Sequence, residues 1–294
     1  MKTETEKKSE LISSPCQQRT RIVFKKGMGL FLQSPMGGYL HLKIFGLLLQ
    51  VLPYAWKRRL SAHLGGPDVR WSLLQLPRFG FIPKHIMDVG AFKGDWTRVC
   101  FEVFPEATIT CIEPQDAPQE ELRNLASRHS NINVIQTLLG RSVGNSVPFE
   151  EKGSGSSVLM NSNGGTKKPM TTIDALIEQG HCQPPELLKL DVQGYEIEVL
   201  EGYTHDFDAC KVIQCEINLL PIVQGAPLLH EIVNYLYSRE FVMFDVDELI
   251  RAPSDGAVWQ IDALFCRTDS PLRRERVWRP KSSNISNHVQ RLNL

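Results

Sequence analysis

The sequence predicts an α/β fold built on a mainly parallel sheet covered by helices on both faces. Three observations predict it. Past Leu64 the chain alternates short apolar runs with segments of helical period. Several of those runs end at a carboxylate: Asp88, Glu113, Asp191 and Glu216. The stretch His85 to Thr97, HIMDVGAFKGDWT, reads as a strand end at Ile86 to Val89, a glycine turn and a helix start. Gly90 and Gly94 lack a Cβ, so the backbone of that turn is expected to approach a ligand closely. Trp96, Val99, Cys100, Val103 and Phe104 then recur at helical spacing, and Pro105 ends the pattern.

Taken in order, residues 1–27 are polar and without apolar period, and a disordered tail is expected. Residues 28–80 form an expected N-terminal helical extension. Within it, Met28 to Leu64 carries apolar positions with basic punctuation, ending at Lys57-Arg58-Arg59. It reads as a pair of helices covering the main domain, or as an interfacial helix over 44–59 making peripheral contact with an anionic membrane. The apolar run Ile44 to Trp56 contains Gln50 and Pro53 and falls short of the roughly 20 residues that span a bilayer.

The main domain is expected over 81–268. Strands are predicted at Ala107 to Ile112, Ile132 to Ile135, Val147 to Glu150 as a small accessory strand, Leu187 to Leu190, Lys211 to Ile217, Phe241 to Phe244 and Trp259 to Cys266. Helices are predicted at Gln119 to Ser127, Thr171 to Gln179 and Leu228 to Tyr237, the second ended by Gly180. A Gly/Ser-rich loop, Gly153 to Ser157, and a glycine pair at Gly164-Gly165 interrupt the pattern. Only a loop, Asp245 to Val258, separates the last two strands, which predicts an antiparallel hairpin at the sheet edge. Residues 269–294 form a basic tail, read as a solvated charge run or as a contact for an anionic partner.

Charge is balanced, with Lys+Arg 33 against Asp+Glu 33, so no global field draws the chain to nucleic acid and no nucleic-acid partner is expected. The cysteines number 7 with no CxxC pair or zinc-like spacing, and Cys111, Cys215 and Cys266 lie in strand-like runs. Buried reduced thiols and a cytoplasmic location are expected. The first residues carry no secretory signal pattern.

In an open parallel sheet, ligands bind at the carboxyl ends of the strands near the point where strand order reverses. Four carboxylates on that rim suit a cationic or hydroxyl-rich ligand better than a phosphate. Glu113 closes the strand after the glycine turn, where an acidic side chain accepts hydrogen bonds from ribose hydroxyls. Gly90 and Gly94 lack the full G-x-G-x-x-G spacing that sets a helix N-terminus on pyrophosphate. A nucleoside without phosphates fits both observations, and S-adenosylmethionine, which bears a sulfonium cation, is such a ligand.

The stretches IMDVGAFKGDWT, CIEP, LLKLDVQGYEIEVLEG, IQCEIN and WQIDALF resemble the FkbM-type methyltransferases, class I enzymes dependent on S-adenosylmethionine. The resemblance covers about Ile86 to Arg267, with LKLDVQGYEIEVLEG its most specific part. It implies a Rossmann-like class I methyltransferase sheet of seven mostly parallel strands, the last antiparallel. Cofactor contacts are expected at Asp88, Val89, Gly90, Ala91, Phe92, Gly94, Trp96, Glu113, Pro114 and Asp191, with Glu113 recognising the ribose and Asp191 at the active-site rim. The resemblance also implies O-methylation of a sugar or natural-product hydroxyl, and a small-molecule or glycan acceptor bordered by the loop GSGSSVL. Phe92 departs from the family pattern: many relatives carry Asn there, and an aromatic cannot hydrogen-bond the cofactor.

Methyl transfer from a sulfonium is an in-line displacement, and a neutral hydroxyl needs a base within reach. Asp191 is the first candidate base and Glu216 the second. Lys189, two residues before Asp191, shares its strand face and is expected as its ion-pair partner. Plain structural readings compete: Asp88 as a cap of its turn, Asp191 as cap of a helix starting near Tyr195, Glu216 as a carboxyl buried with a partner. Asp191, Glu216 and Asn218 together offer oxygen ligands of the kind Mg²⁺ or Ca²⁺ accepts, but their convergence is not readable from sequence, and no metal is expected. The histidines do not cluster, and no G-x-S-x-G serine elbow is present. The rival functions are a nicotinamide-dependent oxidoreductase and a non-catalytic binding module.

Overall fold

The computed structural model describes residues 66–274 except 154, 160–165 and 253. The expectations for 1–65, including the tail, the paired helices and the membrane contact at 44–59, lie outside the described residues, as do Gly164, Gly165 and most of the basic tail. The chain divides after residue 60 into two units, and every described residue belongs to the second.

That unit opens with helix α1 (Val69–Arg78), whose N-terminus is capped by Asp68 accepting from Trp71 N at 2.9 Å. There follow β1 (His85–Val89), α2 (Asp95–Val103), β2 (Thr108–Ile112), α3 (Gln119–Arg128) and β3 (Ile132–Ile135). Three strands, β4 (Leu138–Leu139), β5 (Gly144–Phe149) and β6 (Thr166–Thr171), precede α4 (Ile173–Glu178), β7 (Leu187–Leu190) and α5 (Glu196–Glu201). The chain closes with β8 (Val212–Asn218), α6 (Leu229–Ser238), β9 (Phe241–Arg251) and β10 (Val258–Arg267).

The main sheet has 7 strands in the order β3-β2-β1-β7-β8-β10-β9. β1, β2, β3, β7 and β8 pair in parallel, while β10 runs antiparallel between β8 and β9. This is the Rossmann-like sheet expected of a class I methyltransferase, with the hairpin at one edge. Strand order reverses between β1 and β7, so a crevice opens at their carboxyl ends. Two cores form, one on each face. Leu73, Leu76, Cys100, Leu122 and Leu125 bring α1, α2 and α3 onto Ile86, Ile109 and Leu187. Ile173, Leu176, Leu200, Ile232 and Leu236 bring α4, α5 and α6 onto Met87, Leu188 and Ile213. Each strand thus alternates its side chains between two covered faces.

Several expectations are corrected. The loop expected over Asp245 to Val258 is mostly strand, because β9 continues to Arg251 and stays paired with β10 across register shifts. A second sheet, ordered β4-β6-β5, was not expected beyond one accessory strand. Its core is small: Leu138, Phe149 and Met170, with Val147, Val158 and Tyr195 packed against it. The described cysteines, Cys100, Cys111, Cys182, Cys210, Cys215 and Cys266, are all buried, and none of them forms a disulfide. Burial pushes the Cys111 thiol up to about 12, so it is not a thiolate at neutral pH. Among the described residues no helix is long and apolar enough to cross a membrane.

Candidate functional site

The glycine turn owes its shape to protein contacts. Gly90 has φ +78, and a Cβ there would meet the Asp191 carbonyl oxygen at 1.9 Å. A Cβ on Gly94, also at φ +78, would meet Leu125 and Leu122 of α3 at 3.0 and 3.2 Å. The space a Cβ would take at these glycines is filled by β7's end and by α3, so both are required by packing, and Gly90 also lines the cleft. Gly90 and Ala91 donate to the Ile112 carbonyl at 2.9 and 3.1 Å, which carries the β1–β2 ladder into the turn. Phe92 sits at φ +44, a conformation costly for an aromatic residue, and its backbone N–H donates to Glu113 Oε2 at 2.8 Å. So the turn survives without Asn, fastened by main chain.

Glu113 follows β2 and is 1 % exposed. Its other oxygen, Oε1, accepts from Gln115 N at 2.8 Å. Burial raises its carboxyl pKa, and the N–H groups of Gln115 and Phe92 oppose that rise. Each carboxylate oxygen keeps one lone-pair site beyond these bonds.

A cleft opens at the β1/β7 crevice. The turn forms one wall, through Val89, Gly90, Ala91, Phe92 and Trp96. Ile112, Glu113, Pro114 and Gln115 form the floor beside it, and Leu138, Leu139, Phe149 and Val158 contribute an apolar side from the second sheet. Lys189, Asp191, Gln193 and Tyr195 complete the lining. Gly153 and Ser156 of the Gly/Ser loop also line it, and Gln115 Nε2 donates to the Gly153 carbonyl at 3.1 Å. The structure thus brings Glu113 and Asp191, which lie far apart in sequence, into one cleft.

Two expected cofactor contacts lie elsewhere. Asp88 is wholly buried and absent from the cleft wall. Its Oδ2 accepts from Thr97 Oγ1 at 2.6 Å, and its Oδ1 lies 3.3 Å from Lys189 Nζ in an ion pair not aligned as a hydrogen bond. Strand alternation turns it under α2, where it organises the turn from below. Gly94 also misses the cleft wall, because it is pressed against α3.

Lys189 is 5 % exposed and meets three acceptors: the Gly90 carbonyl and Asp191 Oδ2, each at 3.2 Å, and Asp88. Burial works against its charge, but Asp191, Asp88 and Asp262 outweigh that and hold its pKa above the ordinary lysine value. Lys189 is a fixed cation that joins β1 to β7, and it cannot serve as a base. Asp191 keeps a side chain about one-third exposed. The helix-cap reading of Asp191 is set aside, since α5 has no side-chain cap and the turn before it is held by Glu196 Oε1, which accepts from Gly194 N at 3.0 Å and Val192 N at 3.3 Å.

Glu216, the second candidate base, is 9 % exposed and does not line the cleft. It is the partnered carboxyl: Gln193 Nε2 donates to its Oε2 at 2.6 Å. Burial raises its pKa well above the ordinary value, and Asp191, Asp262 and Glu196 add to the rise. Asp262 stands opposite Glu216 in the β8–β10 register. Trp96 reaches this seam too, donating from Nε1 to Gln214 Oε1 at 2.7 Å, and Gln214 donates in turn to the buried Asp247 at 2.6 Å. Among the described residues no group of three or more His, Cys, Asp or Glu side chains is arranged to hold a metal ion. Motif and spacing did not single out Gln193, Gln115 or Thr97. The first lies within LKLDVQGYEIEVLEG, and its flanking carboxylates were the available signal.

An open sheet with this strand order, an antiparallel hairpin at one edge and an acidic cleft at its switch point define a methyltransferase-like α/β protein. Residues 88–243, more than half of the chain, match the family described as Methyltransferase FkbM domain. The chain belongs to that family. No curated protein matches it. Among solved structures, it is similar to a precorrin-6y C5,15-methyltransferase from Geobacter metallireducens at 11 % identity and TM-score 0.39, covering 68 % of this chain and 85 % of that one. It is also similar to the 1,6-didemethyltoxoflavin-N1-methyltransferase of Burkholderia thailandensis, solved with S-adenosylhomocysteine, at 11 % identity and TM-score 0.38, covering 81 % and 92 %.

Proposed function

We propose that the protein is an S-adenosylmethionine-dependent O-methyltransferase acting on a hydroxyl of a sugar or small natural product. The observation that carries this reading is a single cleft lined by two carboxylates, Glu113 beside the glycine turn and Asp191 at the end of β7. Their chemistry fits the ribose of a nucleoside and a cation. Glu113, with one lone-pair site left on each oxygen, accepts from both ribose hydroxyls. Ile112, Leu138 and Leu139 offer apolar surface to the base. S-adenosylmethionine supplies, when bound, a methyl group activated by a sulfonium.

The chain's own residues then do three things. Asp191 accepts the proton released as the acceptor oxygen forms its new bond. Lys189 fixes Asp191 against Gly90, so that the base and the cofactor turn keep one spacing. The Gly/Ser loop lining the cleft excludes water. The acceptor is a small molecule or glycan that enters beside Asp191, Gln193 and Tyr195, which also line the cleft.

Methyl-labelled S-adenosylmethionine offered with a panel of hydroxylated glycosides and natural products tests this, with Asp191→Asn as control. Label recovered as an O-methyl ether, and lost by a factor of about 10² or more in the variant, is the expected result. Label on nitrogen or carbon, or an Asp191→Asn protein as active as the parent, contradicts it.

A further inference from the structure

Between Asp191 and Glu216 stands one side chain that belongs to neither strand. Gln193 Nε2 lies 3.0 Å from Asp191 Oδ1 and 2.6 Å from Glu216 Oε2. A primary amide nitrogen carries two hydrogens, so each carboxyl receives one. Two carboxyls at the ends of adjacent parallel strands repel when both are ionised, and their orientation drifts unless a donor sits between them. A hydroxyl offers only one hydrogen, a carboxylate none, and asparagine is one methylene shorter.

The backbone at this position is itself held. Gln193 adopts φ +54 and Gly194 φ +99, two consecutive residues of positive φ in the turn after β7. A Cβ on Gly194 would meet Ala226 Cβ at 2.5 Å, so the turn is wedged against the segment before α6. The Gln193 carbonyl accepts from Ser157 Oγ at 2.9 Å, which ties the turn to the Gly/Ser loop that lines the cleft. Ser157 is 1 % exposed and pairs through its backbone with Glu150 at the end of β5. A left-handed non-glycine residue persists where its surroundings over-determine it, and here Ser157 holds the main-chain carbonyl of Gln193 while Asp191 and Glu216 hold its side-chain amide.

We propose that Gln193 is the positioning residue for the base: its amide grips Asp191 and Glu216 together, and its carbonyl anchors that grip to Ser157 of the cleft-lining loop. The proposal rests on the reading of Asp191 as the proton acceptor. The charged groups facing the pair are Lys189 of β7, Asp88 of β1, Asp262 of β10 and Glu196 of α5. None of them donates to both carboxyls, and Lys189 reaches only Asp191 of the two.

The test is a pH titration of the Asp191 and Glu216 carboxyl carbons by ¹³C resonance in the full chain, assigned with Asp191→Asn and Glu216→Gln. A donor to a carboxylate favours its charged form, so its removal moves the titration upward. In Gln193→Ala the apparent midpoints of the pair are expected to rise by about one pH unit, the effect of one lost charge-assisted bond. Ser157→Ala removes only a hydroxyl, and it is expected to move the same midpoints the same way by less. If the Gln193 variant does not fold, the Ser157 variant still decides. Midpoints that do not move in either variant overturn the proposal. Because the titration needs no cofactor, unmoved midpoints in a protein that binds S-adenosylmethionine sink this proposal alone. Shifted midpoints in a protein that does not bind it sink the functional reading instead.

Discussion

At the scale of single residues, the site is built from side chains that each meet two demands. Glu113 holds the main chain of Phe92 and Gln115 while facing the cleft. Glu113→Ala is therefore expected to weaken S-adenosylmethionine binding at least tenfold and also to cost about 1–3 kcal/mol of stability, because it leaves two N–H groups without their partner. Calorimetry and urea unfolding on one preparation separate the two effects. Lys189→Met strands the wholly buried Asp88, and a loss of about 3–5 kcal/mol in urea unfolding at pH 7 is expected. Adding Asp88→Asn should restore part of it, and a double variant no better than the single one would show that the pair does not couple. That Glu113 and Asp191 line the cleft was legible in the sequence, because both follow strands of a parallel sheet whose carboxyl ends border the crevice. Asp88 was misplaced since proximity to a strand end does not reveal which face a side chain takes. Thr97 was invisible to a pattern of apolar positions, although it occupies the same helix face and bonds Asp88.

At the scale of elements, alternation of strands and helices set the layers correctly, and the irregular parts escaped. β9 reads as a loop beyond Phe244 because Asp245, Asp247 and Glu248 interrupt its apolar pattern. Asp245 and Asp247 belong to a polar seam: Asp245 accepts from Ser72 of α1 at 2.9 Å, and Asp247 from Gln214 of β8. The second sheet is equally hard to read, since β4 has 2 residues and β6 is TKKPMT, with a proline and two lysines. Its strands form because tertiary pairing overrides weak local preference. The turn glycines allow a sharp comparison. Gly90→Ala sets a Cβ against backbone, at 1.9 Å from the Asp191 carbonyl, and should cost more than about 2 kcal/mol and remove cofactor binding. Gly180, at φ +72 with nothing within 4 Å of its Cβ position, should cost only about 1–2 kcal/mol when changed to Ala. Thermal unfolding of both variants decides, and equal losses would mean that the close approach of β1 to β7 carries no weight.

At the scale of the whole molecule, the acidic seam gives the fold a pH dependence. Burial raises Glu196 to about 7, against the N–H bonds of Gly194 and itself, and burial likewise raises Glu216 and Asp247. Between the ordinary glutamate value and about 7 the folded state holds a proton at Glu196 that the unfolded chain has released. That contribution is complete below the ordinary value and is lost as pH rises through about 7, so the protein should be more stable at pH 5 than at pH 8. Glu196→Gln mimics the protonated form and still accepts at Oε1; it should flatten the slope by about 3 kcal/mol, chiefly by stabilising the protein at pH 8. Urea midpoints at the two pH values check this, and a parent protein more stable at pH 8 would refute it.

The functional claim rests instead on the cleft, where Glu113 and Asp191 offer acceptor oxygens to a ribose and a cation. The most direct test is calorimetric titration of the full chain with S-adenosylmethionine and S-adenosylhomocysteine, with NADH alongside. Micromolar binding of both adenosyl ligands, weakened in Glu113→Ala, with no heat from NADH, is the predicted result. A folded protein that ignores both adenosyl ligands, or that binds NADH in their place, would contradict the account.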